Sequence, residues 1–260
     1  MQITDIQGSA FAETYGQVLS NYLTTRSEEA LYRASLLSQT FVEQGVGPEE
    51  IIAWEVGAKA EVLDRSMLIN ASLFYYDYSD VQTFIRAPGA IPVQKLGNVD
   101  EATVQGLDLD LLWRPVQGLS LSAGVGLLET ELGAFTTTAG DTPAGNKLPN
   151  APELSFTGSA RYEWSIGGFD ASVQAGAAYT DDVFKDANND PVVASEAHWL
   201  YDARATLGPA DGPWEVAVWG ENLSDEQYVV QGLNVASLGF GNRTFNAPRT
   251  YGVTLTWRWR

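Results

Sequence analysis

Hydrophobic and polar residues alternate with a period of two along most of the chain after residue 50. In the closing segment one face carries Tyr251, Val253, Leu255, Trp257 and Trp259, and the other carries threonine, glycine and arginine. This alternation predicts a β-strand with one apolar and one polar face. A terminal strand rich in aromatic residues is typical of a β-barrel in lipid, whose outer surface is apolar and whose aromatic residues sit at the membrane interface.

The same alternation predicts nine strands, separated by connections that alternate between short and long. The predicted strands cover residues 52–62, 67–83, 100–113, 119–127, 154–164, 169–179, 199–207, 214–222 and 249–259. Strands of about 10–14 residues can cross a bilayer at a tilt near 45°. The predicted fold class is therefore all-β, an antiparallel up-and-down transmembrane β-barrel segment with short periplasmic turns and long outer loops.

A soluble β-sandwich acting as a binding module is the alternative fold, because alternation also describes a sheet with one buried face. Sandwich strands usually have only ~5–6 residues, which favours the membrane interpretation. Aromatic residues also end the apolar faces near the short turns, as an interfacial girdle would. They are Trp113, Trp164, Phe169, Trp214 and Trp257.

Residues 1–50 lack the alternation, so we divide the chain into an N-terminal loop or leader (1–50) and a barrel portion (51–260). Within the first part, residues 27–43 open with a capping serine and continue with apolar residues at helical spacing. Two interpretations stay open for this part: a short amphipathic helix within an outer loop, and a disordered leader.

Composition excludes several functions. The chain has 260 residues and a formal charge of −18, and its 15 basic residues are scattered, which argues against nucleic acid. The absence of cysteine rules out disulfides, thiolate metal sites and a cysteine nucleophile. The sequence contains neither a run of ~18 apolar residues nor a signal peptide at its start. We therefore expect either that the export signal was lost or that the chain begins partway into a larger protein.

We predict no catalytic, cofactor or metal site, and therefore no enzyme. His198, the single histidine, follows a loop and precedes a strand, and an outer-membrane barrel enzyme using His198 is the alternative from this class. Residues 186–190 alternate oxygen ligands as a calcium loop does, but they lack its glycine and distal glutamate.

Charged residues recur on the polar faces of the predicted strands and are the candidates for a lumen-facing surface. They are Asp108, Asp110, Arg161, Glu163, Asp202, Arg204 and Arg258, joined by Glu215. Such residues either form a binding surface or pair with one another across strands.

Six segments occur in a characteristic order over about 200 residues. They are residues 48–59, 70–78, 106–111, 148–152, 219–228 and 248–253. Together they resemble the C-terminal barrel region of TonB-dependent outer-membrane receptors.

The resemblance implies a barrel of ~22 strands with a plug in its lumen, located in the bacterial outer membrane. It implies active uptake of siderophores, cobalamin or similar ligands, with no cofactor, and lumen-facing charges that hold the plug. The implied partners are outer-membrane lipid, a small ligand such as a metal chelate, the barrel-assembly machinery and, through the plug, the energy-coupling inner-membrane complex. Because a plug and about thirteen strands are missing, we expect a C-terminal barrel fragment.

Overall fold

The computed structural model describes residues 46–87, 93–137, 140–235 and 240–259, and thirteen strands lie within these ranges. The strands are β1 (Glu50–Val62), β2 (Met67–Ala87), β3 (Val93–Trp113), β4 (Leu119–Leu132), β5 (Phe135–Thr137), β6 (Gly140–Thr142), β7 (Leu154–Ile166), β8 (Phe169–Thr180), β9 (His198–Pro209), β10 (Trp214–Glu221), β11 (Val229–Val235), β12 (Phe240–Phe245) and β13 (Thr250–Trp257).

Nine strands form one antiparallel sheet in the order β1-β2-β3-β4-β7-β8-β9-β10-β13. The remaining four described strands make two hairpins, β5–β6 and β11–β12, which lie in the connections that the sheet order steps over. The predicted nine-stranded, up-and-down antiparallel fold is confirmed. The β-sandwich alternative is wrong, because the described strands supply no second large sheet to cover the first.

The register of the sheet keeps the two kinds of side chain apart. Leu109 pairs with Val125, whereas the adjacent Asp108 pairs with Gly126. A slip of one residue would move every side chain of a strand to the opposite face, so the alternating sequence fixes the register. The β7–β8 turn reinforces it, because Gly167 and Gly168 both have positive φ (57° and 81°), as a two-residue turn of type I′ requires.

Strands β2 and β3 are longer than predicted. We expected them to end at residue 83 and to begin at residue 100, but they continue to Ala87 and start at Val93. Asp80 interrupts the alternation with a left-handed φ of 54°. Tyr78 pairs with Ala102 on one side of Asp80, and Val81 pairs with Val99 on the other. Because of the interruption, Ala102, Val81 and Val99 are all buried in one cluster.

The buried core is small and lies at the end of the sheet that carries the long connections, here called the loop end. We name it the loop cluster, and its buried members are Val81, Val99, Ala102, Leu132, Phe135 and Ala187. Large apolar residues of the sheet stay exposed instead, as in Tyr251 (80%) and Val253 (70%). Most large apolar side chains of the described residues therefore lie on the surface of the sheet and not in a buried core.

The predictions for the N-terminal part and for the long loops have different outcomes. The amphipathic helix over 27–43 lies outside the described residues. The β5–β6 and β11–β12 hairpins were predicted only as loop. Within the ranges that the structure describes, no helix has the length and hydropathy needed to span a membrane.

Candidate functional site

The apolar face of the sheet ends in a row of aromatic residues beside the short turns. Tyr162 and Trp164 stack there with ring centroids 5.5 Å apart, and Phe169 contacts Trp214 at 6.2 Å. Trp214 is the register partner of Trp257 on the last strand. The girdle predicted from the sequence thus lies along one end of the sheet, with Trp113 on β3.

A second aromatic row borders the apolar face at the loop end, and it was not predicted. Trp199 is at its centre, with ring centroids 5.0 Å from Tyr179, 5.8 Å from Phe156 and 6.0 Å from Tyr201. On β7, Phe156 and Trp164 are eight residues apart. At ~3.3 Å per residue this is about 26 Å along the strand, or roughly 20 Å of height at a 40° tilt.

The last strand carries the candidate interface residues at the edge of this apolar face. Tyr251, Val253, Leu255 and Trp257 are each at least half exposed. Trp259 lies beyond the strand, with its ring centroid 6.1 Å from that of Trp257. Strand β10 pairs with one edge of β13, and β13 ends the sheet order among the described strands.

The predicted lumen-facing residues lie on the opposite, polar face. Asp108 and Asp110 of β3 project over the neighbouring Gly126 and Gly124 of β4. A Cβ built on either glycine would come within 3.3 Å of the carboxylate oxygen. The glycines therefore leave the space that these two carboxylates occupy.

Arginine and glutamate interact further along the polar face. Arg161 donates from Nε and Nη2 to Glu163 Oε1 at 3.0 and 2.7 Å, and from Nη1 to Gln174 at 3.4 Å. Arg258 lies 3.8 Å from Glu215. The Arg161–Glu163 pair joins residues of one strand, whereas Gln174 and Glu215 contribute from neighbouring strands.

Asp202 and Arg204 line a recess of about 480 Å³, together with Trp219, Glu221 and Asn222. The indole of Trp219 donates to Thr254 Oγ1 at 3.1 Å and covers Gly252, where a Cβ would lie 2.6 Å from the ring. The sequence analysis did not name Trp219, although alternation from Trp214 along β10 assigns it to the polar face. Its pairing with Arg204 places it on the polar face.

Within the segment 219–228, the side chain of Asn222 bonds to the backbone of the loop. Its side-chain oxygen accepts from the backbone N–H of Glu226, and its Nδ2 donates to the carbonyl oxygens of Glu226 and Ala247. Asn246 likewise accepts from the N–H of Tyr228 and donates to the same two carbonyls. The two amide side chains hold together the segments that lead into and out of the β11–β12 hairpin.

His198 is buried, with 8% of its surface exposed, and its ring stacks on Tyr228 at 3.8 Å and 12°. Its Nδ1 lies 2.9 Å from the carbonyl oxygen of Glu196, which can only accept, so Nδ1 carries a proton. These contacts join β9 to the connection after β10. They give His198 a structural position.

The calcium-like segment 186–190 uses its side chains within the loops. Asp186 accepts from the backbone of Asp190, and Asp190 accepts from Val192 and from the amide of Asn234. Among the described residues, no group of three or more potential metal ligands is present. Nearby, burial lowers the pKa of Lys185, whose Nζ donates to Asn150 at 3.0 Å.

An antiparallel sheet with a polar face and an apolar band between two aromatic rows is the wall of a transmembrane β-barrel. A family model described as TonB dependent receptor-like, beta-barrel matches residues 8–223. The chain belongs to this family, whose members are outer-membrane β-barrel proteins.

Relatives and solved structures agree with this assignment. The chain is 28% identical over 192 residues to the probable TonB-dependent siderophore receptor PiuA of Acinetobacter baumannii, covering 71% of this chain and 24% of PiuA. It is 26% identical to the probable TonB-dependent receptor BfrD of Bordetella pertussis, over 73% of this chain and 25% of BfrD. The chain thus spans about a quarter of the length of these relatives.

Two solved receptors share the fold. The ferric yersiniabactin uptake receptor FyuA of Yersinia pestis has a TM-score of 0.66 at 20% identity, over 80% of this chain and 30% of FyuA. The siderophore receptor PiuA of Acinetobacter baumannii has a TM-score of 0.62 at 26% identity, over 82% of this chain and 29% of PiuA.

Proposed function

We propose that the chain forms part of the wall of an outer-membrane receptor for the active uptake of siderophores or similar metal chelates. One observation carries the proposal: a single sheet has an exposed apolar band bounded by aromatic rows on one face and charged side chains on the other. Such a wall separates lipid from a polar lumen. Membership of the receptor family and the similarity to PiuA support uptake as the function of the whole receptor.

The polar face holds the plug in this proposal. Asp108 and Asp110 have no ion-pair partner among the described residues, and Asp202 and Arg204 line an open recess. A plug packed against this face supplies their partners and connects the receptor to the energy-coupling complex. In a receptor that combines this wall with a plug, such as the PiuA chimaera described below, replacing Asp108 and Asp110 by Asn should loosen the plug. Cells that carry this variant should then be more sensitive to a large antibiotic such as vancomycin.

The closing strand has a second role in the proposal. Its edge and its aromatic residues, from Tyr251 to Trp259, are what the barrel-assembly machinery engages. The enzyme alternative loses its support, because the buried His198 is stacked on Tyr228 and hydrogen-bonded to a carbonyl oxygen. The proposed wall requires no chemistry from the chain itself.

A chimaera tests the proposal. The segment of PiuA that matches this chain is replaced by residues 46–259, and the chimaera is expressed in an Acinetobacter baumannii strain that lacks PiuA. Uptake of radiolabelled iron is measured from a tris-catecholate and from a tris-hydroxamate chelate. We expect uptake of at least one chelate, and its loss when a protonophore removes the energy source.

Two controls make the result decisive. The outer-membrane fraction is probed for the chimaera, and a second chimaera carrying Leu109→Arg in the apolar band serves as the assembly-defective control. A chimaera that assembles in the outer membrane but takes up neither chelate under energised conditions would refute the uptake proposal. A chimaera found only as a soluble protein would refute the membrane wall itself.

A further inference from the structure

The loop between β8 and β9 (residues 181–197) reaches across the loop end of the sheet. Ala187, which is completely buried, packs in the loop cluster with Val81, Val99 and Leu132 of β2, β3 and β4. At the base of the same loop, Val183 and Ser195 exchange two backbone hydrogen bonds of 3.0 and 2.9 Å. The β8–β9 loop is therefore an ordered element, closed at its base by backbone hydrogen bonds and packed at Ala187.

Amide side chains join the β8–β9 loop to the connection between β6 and β7 (residues 143–153). Asn189 accepts from the N–H of Lys147 at 2.7 Å and donates back to its carbonyl oxygen at 2.8 Å. Asn146 donates to the carbonyl oxygen of Ala187 at 2.8 Å. The backbone of Asn150 adds a bond to Phe184 at 2.9 Å. Four bonds thus link two connections that lie about 40 residues apart in sequence.

The β11–β12 hairpin attaches to the other end of the β8–β9 loop. Gly232 lies against the completely buried Val193, and a Cβ at Gly232 would be only 2.5 Å from the Cβ of Val193. Asn234 donates to Asp190 at 2.7 Å, and Arg243 donates from Nε to the carbonyl oxygen of Val192 at 2.5 Å. Only glycine fits at position 232 while the hairpin keeps this contact.

We propose that the β6–β7 connection, the β8–β9 loop and the β11–β12 hairpin open and close as one body, with the β8–β9 loop as the shared member. The reason is that each outer segment is bonded to this loop by asparagine side chains whose hydrogen bonds are partly buried: Asn146 and Asn189 on one side and Asn234 on the other. Hydrogen bonds shielded in this way are lost together with the packing that shields them. The proposal concerns the coupling of the loops and does not depend on which ligand the receptor takes.

Hydrogen exchange on the full chain in detergent micelles tests the coupling. Gly232→Val forces a branched side chain onto Val193 and should open the hairpin. If the three segments are one body, protection at the amides of Ser195 and Asn150 should fall at least tenfold, by the same factor as at the hairpin amides. Gly241→Val is the matched control, because the nearest atom to its Cβ lies 3.7 Å away.

The reverse perturbation must give the reciprocal result, since coupling between two sites is mutual. Ala187→Asp places a carboxylate in the loop cluster and should lower protection at the hairpin amides of Gly232 and Asn242. Ala134→Asp, at an exposed position beside the cluster, is its control. Amides of the β7–β8 pair, such as Ala160, serve as the reference for global unfolding.

A fall that stays within the hairpin for Gly232→Val, or spares the hairpin for Ala187→Asp, would overturn the proposal. Should the reference amides also fall, Asn234→Ala replaces Gly232→Val, since it removes one hydrogen bond and adds no bulk. The same comparison of Asn150 with the hairpin amides then decides the question.

Discussion

A charge placed at the centre of the apolar band should destabilise the fold far more than the same charge at its border. Leu109 is suited to this test, because it lies on β3 four residues from Trp113 and four from Gln105. Trp113 belongs to the turn-end aromatic row, and Gln105 pairs with Tyr75 at the loop-end border. At ~3.3 Å per residue, Leu109 is about 13 Å along the strand from either border.

The expected magnitude follows from this depth. An arginine at the midplane of a transmembrane barrel costs about 2–4 kcal/mol, and one near the interface costs about 0–1 kcal/mol. Leu109→Arg should therefore lower the folding constant by roughly 30-fold to nearly 1,000-fold. Gln105→Arg should change it little. An arginine at position 105 also retains a partner, because Gln105 already donates to Glu129 at 2.7 Å.

The assay is equilibrium guanidinium unfolding of both variants in phosphocholine vesicles, followed by tryptophan fluorescence. The free energies of unfolding of Leu109→Arg and Gln105→Arg are each compared with that of the unsubstituted chain. Equal destabilisation by the two variants, or a change below about 1 kcal/mol at position 109, would contradict a lipid-facing band. A large effect at position 105 alone would place the membrane at a different height on the sheet.

Three further predictions address the sheet and its loops. Gly106→Ala should cost about 1–3 kcal/mol, because its Cβ would lie 2.4 Å from the carbonyl oxygen of Leu127; Gly57→Ala, with 3.5 Å to its nearest atom, should leave the unfolding midpoint unchanged or higher. Asn246→Ala removes the acceptor of the Tyr228 N–H and should speed hydrogen exchange of that amide by roughly tenfold. An unchanged exchange rate at Tyr228 would contradict the role of Asn246 at the loop base. Burial lowers the pKa of Lys185 from its ordinary 10.5, so the folded chain binds fewer protons just below pH 10.5 and its stability rises with pH there. The melting temperature relative to Lys185→Met should therefore increase toward pH 10.5, and a constant difference would refute the assignment.

The sheet could be predicted because each strand carries its own evidence. On β7 and β8, apolar and polar residues alternate without interruption, and two glycines occupy the turn between them. The bounds predicted for these strands were 154–164 and 169–179, and the observed strands are Leu154–Ile166 and Phe169–Thr180. Local pattern and tertiary position agree there.

Alternation failed where the backbone departs from regular strand geometry. A period-two pattern continued through Asp80 places Val81 and Tyr78 on opposite faces, yet Tyr78 packs against the cluster in which Val81 is buried. The left-handed conformation of Asp80 has no signature in hydrophobicity, although aspartate tolerates that conformation better than most residues.

The loop contacts could not be predicted from local pattern at all. Asn146 and Ala187, or Gly232 and Val193, meet only because the sheet brings distant connections together. The polar face was predicted in part: its charged members follow from alternation, but the recess beside Trp219 depends on pairing between β9 and β10. The loop-end aromatic row depends on the register that pairs Phe156 with Tyr179 and Tyr179 with Trp199.

The order of strands in the sheet also sets the order in which the molecule can assemble. Sheet neighbours are successive in the chain except at β4–β7 and β10–β13, where a loop hairpin intervenes. Each new strand can therefore close onto the one made just before it, with small entropic cost for each loop closed. The β8–β9 loop bonds residues as far apart as Asn146 and Arg243. Its contacts are complete only after β12 is in place, so in chain order the loops lock after every strand of the large sheet except β13.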